Sequence, residues 1–412
     1  MPFDHTAFSH AAERLYREGM FRAEMLDTDE GRALTEETYH ALNAAIDYSI
    51  QTETPPELTA ALRNNAFIFS GFKSYHQLRE ASAMLTREDG TLRTYTEFEN
   101  EVRRIDEKYN TAYLRAEYNH AVHSAQMAVK WHEWQADGDE YNLQYRTAGD
   151  ERVREAHAAL DGVTLPPSDK FWNNYLPPNG WNCRCQVVQV LREDYPQSNS
   201  DKATEWGDAC TSDPKEKIFR YNAGKELKLF PPKHPYLPKG CGKCEAGMQL
   251  AWGLGKPECA ACLMIRQMAP LQTITPRSDK PVFRRMQKNA RNAYGEEIIQ
   301  ERGAQFYTSK FVCSKDDFDK IIGHCYTGEE IEAARKLPTL FSNVFNGRYE
   351  PLHIDRPNIR KKIAEGAIHF VYYEIKIDGV MYELQTMAIK DKYNKHGVVV
   401  EHPYSLKKKE SE

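Results

Sequence analysis

No stretch of about 18 consecutive apolar residues occurs anywhere in the chain, so a membrane-spanning helix is not expected. The first ten residues, MPFDHTAFSH, lack a basic segment followed by an apolar one, so no secretory leader is expected. Internal repeats are absent, and the only biased tract is Lys407-Lys408-Lys409. Positive charge is not in excess either: 55 Lys+Arg face 60 Asp+Glu, a net charge of -5, which argues against a general nucleic-acid coat. What the chain does have is length and polarity. Its 412 residues suggest two to four domains, and a mean hydropathy of -0.71 with 28% charged residues describes a polar, soluble chain. The charge is unevenly spread. Residues 281–412 carry 22 Lys+Arg against 19 Asp+Glu, whereas residues 1–280 carry 33 against 41.

The nine cysteines are an odd number in a chain with no visible leader, which disfavours a disulfide framework. They cluster instead, which points to metal. Cys241, Cys244, Cys259 and Cys262 have C-x2-C-x14-C-x2-C spacing, so two thiolate pairs on tight turns can close a tetrahedral structural zinc site. Such a site would fold a segment too poor in apolar residues to fold alone. The alternatives are buried free thiols or a redox C-x-x-C, although nothing nearby resembles a strand-to-helix thioredoxin turn. A second set is Cys183 and Cys185 with His157 upstream, and Cys210 or an acidic residue as a fourth ligand. Its alternative is a small packed core with hydrogen-bonded thiols.

The pattern of residues predicts a multidomain α+β chain. Residues 1–140 read as helical. One helix opens at Thr35-Glu36-Glu37 and is stopped by Pro55-Pro56, a second spans about 60–85, and Asp89-Gly90 makes a turn. A long helix begins near Thr96, with Glu99 completing a capping box, and carries Val102, Ile105, Tyr109, Ala112, Ala116, His123 and Met127 on one stripe. Its roughly 35 residues would reach about 50 Å. That length suits a strut or docking element; an ordinary bundle helix is the alternative. Residues 141–195 form a compact polar core, and 196–290 a Pro- and Gly-rich linker built around the zinc knot. Residues 291–412 form an α+β domain with a helix near 359–365 and strands at 368–377, 380–389 and 397–402.

Within the second region, Asp150-Glu-Arg152-Val-Arg154-Glu-Ala-His157 precedes Pro177-Pro178-Asn179-Gly180-Trp181-Asn182-Cys183-Arg184-Cys185-Gln-Val187. These segments, in this order, resemble the signature of phage head morphogenesis proteins, the Mu F-like minor head protein family. The resemblance covers roughly residues 30–195 and departs from the family pattern at Glu155, where proline is common. It implies a minor structural protein of a tailed phage or prophage, associated with the portal and with capsid or scaffold proteins. Its place would be the procapsid interior, and the host cytoplasm during assembly or after ejection. Asp150, Arg152 and Arg154 would form an ion-pair lattice, and Trp181 the core anchor.

In the last region, helices followed by an antiparallel sheet resemble the barnase–EndoU–colicin–RelE class of small ribonucleases. That resemblance implies a toxin domain acting on host RNA without a metal, together with an immunity partner. Pairing 368–377 with 380–389 across Asp378-Gly379 sets Val371, Tyr373, Ile375 and Ile377 opposite Thr386, Leu384, Tyr382 and Val380 on an apolar face. The other face puts Glu374 directly across from Glu383. Ribonuclease chemistry needs a base, an acid and a cation. The candidates are Glu374 as base with a raised pKa, Lys376 or Lys390 for the phosphate, His396 or His402 as acid, and Tyr404 for positioning; His353 and Arg356 lie further out. A solvated carboxylate pair and exposed loop histidines are the alternative. On that reading the domain is purely structural and binds portal, capsid or DNA without catalysis.

Overall fold

The computed structural model describes residues 3–50, 54–238, 260–294, 305–307, 311–352, 359–364, 366–390 and 399–409. The fold mixes helix and sheet, with a helical N-terminal half and antiparallel sheets. Two compact units are present, Met1–Pro270 and Leu271–Glu412. Among the described residues no helix is long and apolar enough to cross a membrane.

The first unit opens with five helices: α1 (His5–Glu18), α2 (Asp29–Ser49), α3 (Pro56–Ala83), α4 (Tyr95–Glu107) and α5 (Leu114–Asp137). The α2 helix starts earlier than Thr35, because the Thr28 side chain accepts from the Gly31 amide and satisfies the first turn. The predicted capping box also sits two residues earlier: Thr94 caps, and Glu97 answers it. The long helix is present, because α4 runs into α5 through a π-helical turn at Lys108–Tyr113 with helical dihedrals at both junctions. A π-turn takes a backbone carbonyl out of the regular ladder. Here the Tyr109 carbonyl is met by the ammonium of Lys73 at 2.8 Å, and the same ammonium lies 2.6 Å from Glu117.

After α5 the chain folds into a small knot. It consists of β1 (Tyr141–Arg146), α6 (Glu155–Ala158), β2 (Thr164–Leu165), α7 (Trp172–Tyr175) and β3 (Gln186–Leu191), with strand order β2-β1-β3 and both pairings antiparallel. Its core joins Trp131 and Trp134 of α5 to Leu143, Tyr145, Leu160, Phe171, Trp172, Val187 and three cysteines. The following stretch, read from sequence as irregular linker, contains α8 (Ser200–Cys210) and α9 (Ala223–Glu226). Gly207 lets α8 lie on Tyr175, since a Cβ there would stand 2.7 Å from the ring. Phe230 stacks on Phe69 of α3 at 3.7 Å between centroids, so residues up to Tyr236 complete the helical core. The isolated turns of this stretch carry too few periodic apolar positions to be read as packed structure. The described chain resumes at α10 (Ala260–Met268), in which Cys262 is buried.

The second unit contains α11 (Lys280–Ala293), the short hairpin of β4 (Gln305–Tyr307) and β5 (Val312–Ser314), α12 (Lys315–His324) and α13 (Gly328–Lys336). A four-stranded antiparallel sheet follows: β6 (Phe345–Pro351), β7 (Ala367–Ile377), β8 (Val380–Lys390) and β9 (Val399–Lys408), in that order, with α14 (Ile359–Ala364) between β6 and β7. The β7–β8 register is the predicted one, from Ile377 opposite Val380 to Phe370 opposite Met387. Asp378 and Gly379 both have positive φ, as a type I′ turn demands. One face is fully buried by Val371, Ile375, Tyr382 and Leu384. The opposite face holds a second small core of Phe370, Met387, Ala367 and Ile359, with Tyr404 packed on it. Strand β6 was hidden in the sequence because Asn346, at positive φ, and Gly347 read as turn; the strand is irregular there and its register shifts.

Candidate metal centre

Three elements bring the His157–Cys183–Cys185 group together. Residue 157 lies in α6, one short turn that ends where Leu160 enters the core and Gly162 donates its amide to the Tyr145 carbonyl. The two cysteines occupy the approach to β3, whose pairing sets Val187 opposite Tyr145 and Gln186 opposite Arg146. Tyr145 donates to the Asn179 side chain at 2.9 Å and so ties the Pro177–Trp181 segment to β1.

The result is a compact donor set. Nδ1 of His157 stands 3.6 Å from the sulfur of Cys183 and 3.6 Å from that of Cys185. All three ligand atoms lie within 4.8 Å of one another, and the three residues are buried. A tetrahedral zinc with Zn–S near 2.3 Å and Zn–N near 2.05 Å has S···N edges of about 3.6 Å. The two sulfur–nitrogen edges therefore match those of a tetrahedral zinc. Cys210, fully buried, also contacts the His157 imidazole.

The electrostatics agree with a cluster built around negative sulfur. Burial pushes the His157 pKa down, but the hydrogen bonds and charges of Cys183 and Cys210 outweigh it and bring the pKa to about 9. A hydrogen bond from Cys185 holds the Cys183 thiol well below its ordinary range, against burial and with help from His157. Cys185 moves the other way, pushed up by Cys183 and by burial. A bound cation would replace these shared protons and hold both sulfurs as thiolates.

The expected ion-pair lattice has a different wiring. Asp150 pairs with Arg184 rather than with Arg152 or Arg154, through two hydrogen bonds of 2.6 Å. Arg154 donates to the Trp181 carbonyl at 2.8 Å, and its Nη1 lies 3.4 Å from His157 Nε2. Trp181 is half-buried, edge-on to Phe219 and His120. A cavity of about 500 Å³ opens above the donor set, with Arg152, Arg154, Arg184 and His123 on its walls.

The other predicted cysteines, Cys241, Cys244 and Cys259, lie outside the described residues, as do His353, Arg356 and His396. In the second unit, Glu374 faces Glu383 as predicted, and each has its own cation: Lys409 for Glu374 and Arg348 for Glu383. Hydrogen bonds from Lys409 and Asn346 hold the Glu374 carboxyl below its ordinary range, the opposite of what a general base needs. His402 stands opposite Met387, four residues along β8 from Glu383, so it lies about 13 Å along the sheet from the Glu374 pair. Lys376 is exposed opposite Met381, and Lys390 is exposed at the far end opposite Val399. Glu374 and Lys376 therefore do not converge with His402 and Tyr404.

What His402 and Tyr404 do meet was not anticipated. Nδ1 of His402 is 2.9 Å from Asp317, a buried carboxylate on α12, and Lys362 donates to the Tyr404 hydroxyl at 2.8 Å. Burial raises the Asp317 pKa, but His402 and Ser314 together bring it below the ordinary range. The Ser314-x-x-Asp317 capping pattern was the available signal for Asp317, but nothing local announces that the oxygen that answers Ser314 also faces His402 on β9.

Residues 90–188 match the family described as "Phage Mu protein F like protein". Over 89 residues the chain is 35% identical to "Putative capsid assembly protein F" of Escherichia phage Mu, an alignment covering 21% of this chain and 18% of that protein. Over 92 residues it is 32% identical to "Mu-like prophage FluMu F protein" of Haemophilus influenzae, covering 22% and 19%. The chain thus spans less than a fifth of either relative's length in the matched part. No solved structure matches the chain. These matches support the head morphogenesis family, and it is over residues 90–188 that the chain is similar to the Phage Mu protein F like proteins.

Proposed function

We propose that this chain is a minor head protein of a tailed phage or prophage that takes part in capsid assembly beside the portal. The observation that carries the reading is where the similarity falls: residues 90–188 include the α4–α5 strut and all three members of the His157–Cys183–Cys185 group. Strut and knot share one core, so the helix presents a docking surface whose C-terminal end is anchored by the knot. Zinc at the His/Cys group, and a second zinc at Cys241, Cys244, Cys259 and Cys262, supply structural rigidity in this reading. The partners are portal and capsid or scaffold proteins. The test is co-expression with the portal and capsid proteins of the same phage, followed by sedimentation of procapsids. The full chain should travel with the particles, and the Cys183→Ser/Cys185→Ser variant should be lost from them. A full chain that stays wholly in the soluble fraction contradicts the reading.

A second reading concerns residues 271–412 and rests on the Asp317–His402 pair. A carboxylate fixing one imidazole nitrogen leaves the other oriented for proton transfer, and Lys362 beside Tyr404 supplies a cation. In this reading the second unit cleaves host RNA without a metal, with His402 in place of Glu374 as the proton-transfer group, and an immunity partner restrains it. Induction of the full chain in bacteria should then degrade cellular RNA, and His402→Ala should abolish that. Intact RNA with the wild-type chain leaves the unit as a binding module.

A further inference from the structure

We infer that the cavity above His157, Cys183 and Cys185 is a carboxylate-binding site in which a partner's carboxylate completes the coordination of the metal; this rests on the metal reading of the same three residues. The donor set offers three ligand atoms, and all three residues line the cavity of about 500 Å³. Three protein ligands with an open fourth position are the arrangement of zinc sites that take an exogenous ligand. With two thiolates and a neutral imidazole a zinc centre is electrically neutral, so an anion can approach it.

The walls favour that anion. Of the three arginines, Arg184 is committed to Asp150, while the Arg152 guanidinium makes no hydrogen bond or ion pair among the described residues and is exposed on the wall. Arg154 is the third. Its Nη1 faces His157 Nε2 at 3.4 Å. Metal on Nδ1 places the ring proton on Nε2, which can then only donate. With metal on Nδ1, Nε2 offers Nη1 no acceptor, so Nη1 is available to the cavity, while Nη2 keeps the Trp181 carbonyl. The Arg152 fork and Nη1 of Arg154, whose Nε pairs with Glu216, are then the donors on the cavity wall, a match for a carboxylate at an open coordination position.

A nucleic-acid backbone fits less well. Residues 1–280 carry 33 Lys+Arg against 41 Asp+Glu, a field that repels a polyanion while a single carboxylate in a cationic cavity is tolerated. A side-chain or C-terminal carboxylate of a head protein has this chemistry.

The test loads the full chain with cobalt(II), measures bound metal, and titrates with acetate and separately with inorganic phosphate while following the cobalt ligand-field bands. The inference expects a saturable acetate shift that disappears in Cys183→Ser/Cys185→Ser, is weakened roughly tenfold by Arg152→Ala, and survives Cys210→Ser. Bands that stay fixed with cobalt bound at His157 overturn the site and leave the metal reading intact. So does a Cys210→Ser spectrum that has itself changed, because Cys210 would then be the fourth ligand. A shift with phosphate and none with acetate overturns the choice of ligand. Absence of any cobalt dependent on Cys183 and Cys185 removes the metal reading and this inference together.

Discussion

Replacing Lys73 by methionine is expected to destabilise the N-terminal unit by about 3–5 kcal/mol, the cost of leaving a buried charge without its partner. The Lys73 side chain is fully buried, and its Nζ contacts Glu117 and the carbonyl of Tyr109. Burial lowers its pKa, and Glu117 pulls the value back up. Tyr236 donates its hydroxyl to the other Glu117 oxygen, so one carboxylate ties α5 to α3 and to the segment after α9. Methionine fills the volume but meets neither the carboxylate nor the carbonyl exposed by the π-turn. The six tryptophans all fall within residues 1–270, so their fluorescence in urea follows this unit alone. A second variant separates charge from shape. Lys73→Met/Glu117→Leu should recover much of the loss, because paired apolar replacements of buried ion pairs are often close to neutral. A single Lys73→Met change costing under about 1 kcal/mol would show that the network is solvated rather than buried.

How much of this could be read from the residues depends on whether the signal was local. The β7–β8 hairpin was fully legible, since Asp378-Gly379 fixes the turn and period-two alternation then fixes every pair. The long helix was legible for the same reason, from its unbroken apolar stripe. Its π-turn was not, because the cause is Lys73, thirty-six residues from Tyr109 in the chain. The metal group was half legible. Cys183-Arg-Cys185 is a local pattern, but the proximity of His157 depends on the turn at Gly162 and the β1–β3 register. The proposed ribonuclease residues fared least well. Reading Glu374 as a base required knowledge of Lys409 and Asn346, which arrive from the chain end and from an irregular edge strand. Asp317, the partner His402 does have, is 85 residues away.

Metal at His157, Cys183 and Cys185 gives the second large effect. A ligand that binds only the folded knot stabilises it by about 4 kcal/mol when free zinc exceeds the dissociation constant a thousandfold. Because Trp131, Trp134 and Trp172 share the core with Cys183 and Cys185, the loss should be visible in the same urea transition. Chelation of the wild-type chain should therefore lower the midpoint, and Cys183→Ser/Cys185→Ser should abolish that response. The most direct measurement is zinc per chain, by elemental analysis of the purified full-length protein, of Cys183→Ser/Cys185→Ser, and of Cys241→Ser/Cys244→Ser. The first pair of substitutions should remove one equivalent whether or not the second pair is present. A zinc content unchanged by substituting Cys183 and Cys185 would contradict it.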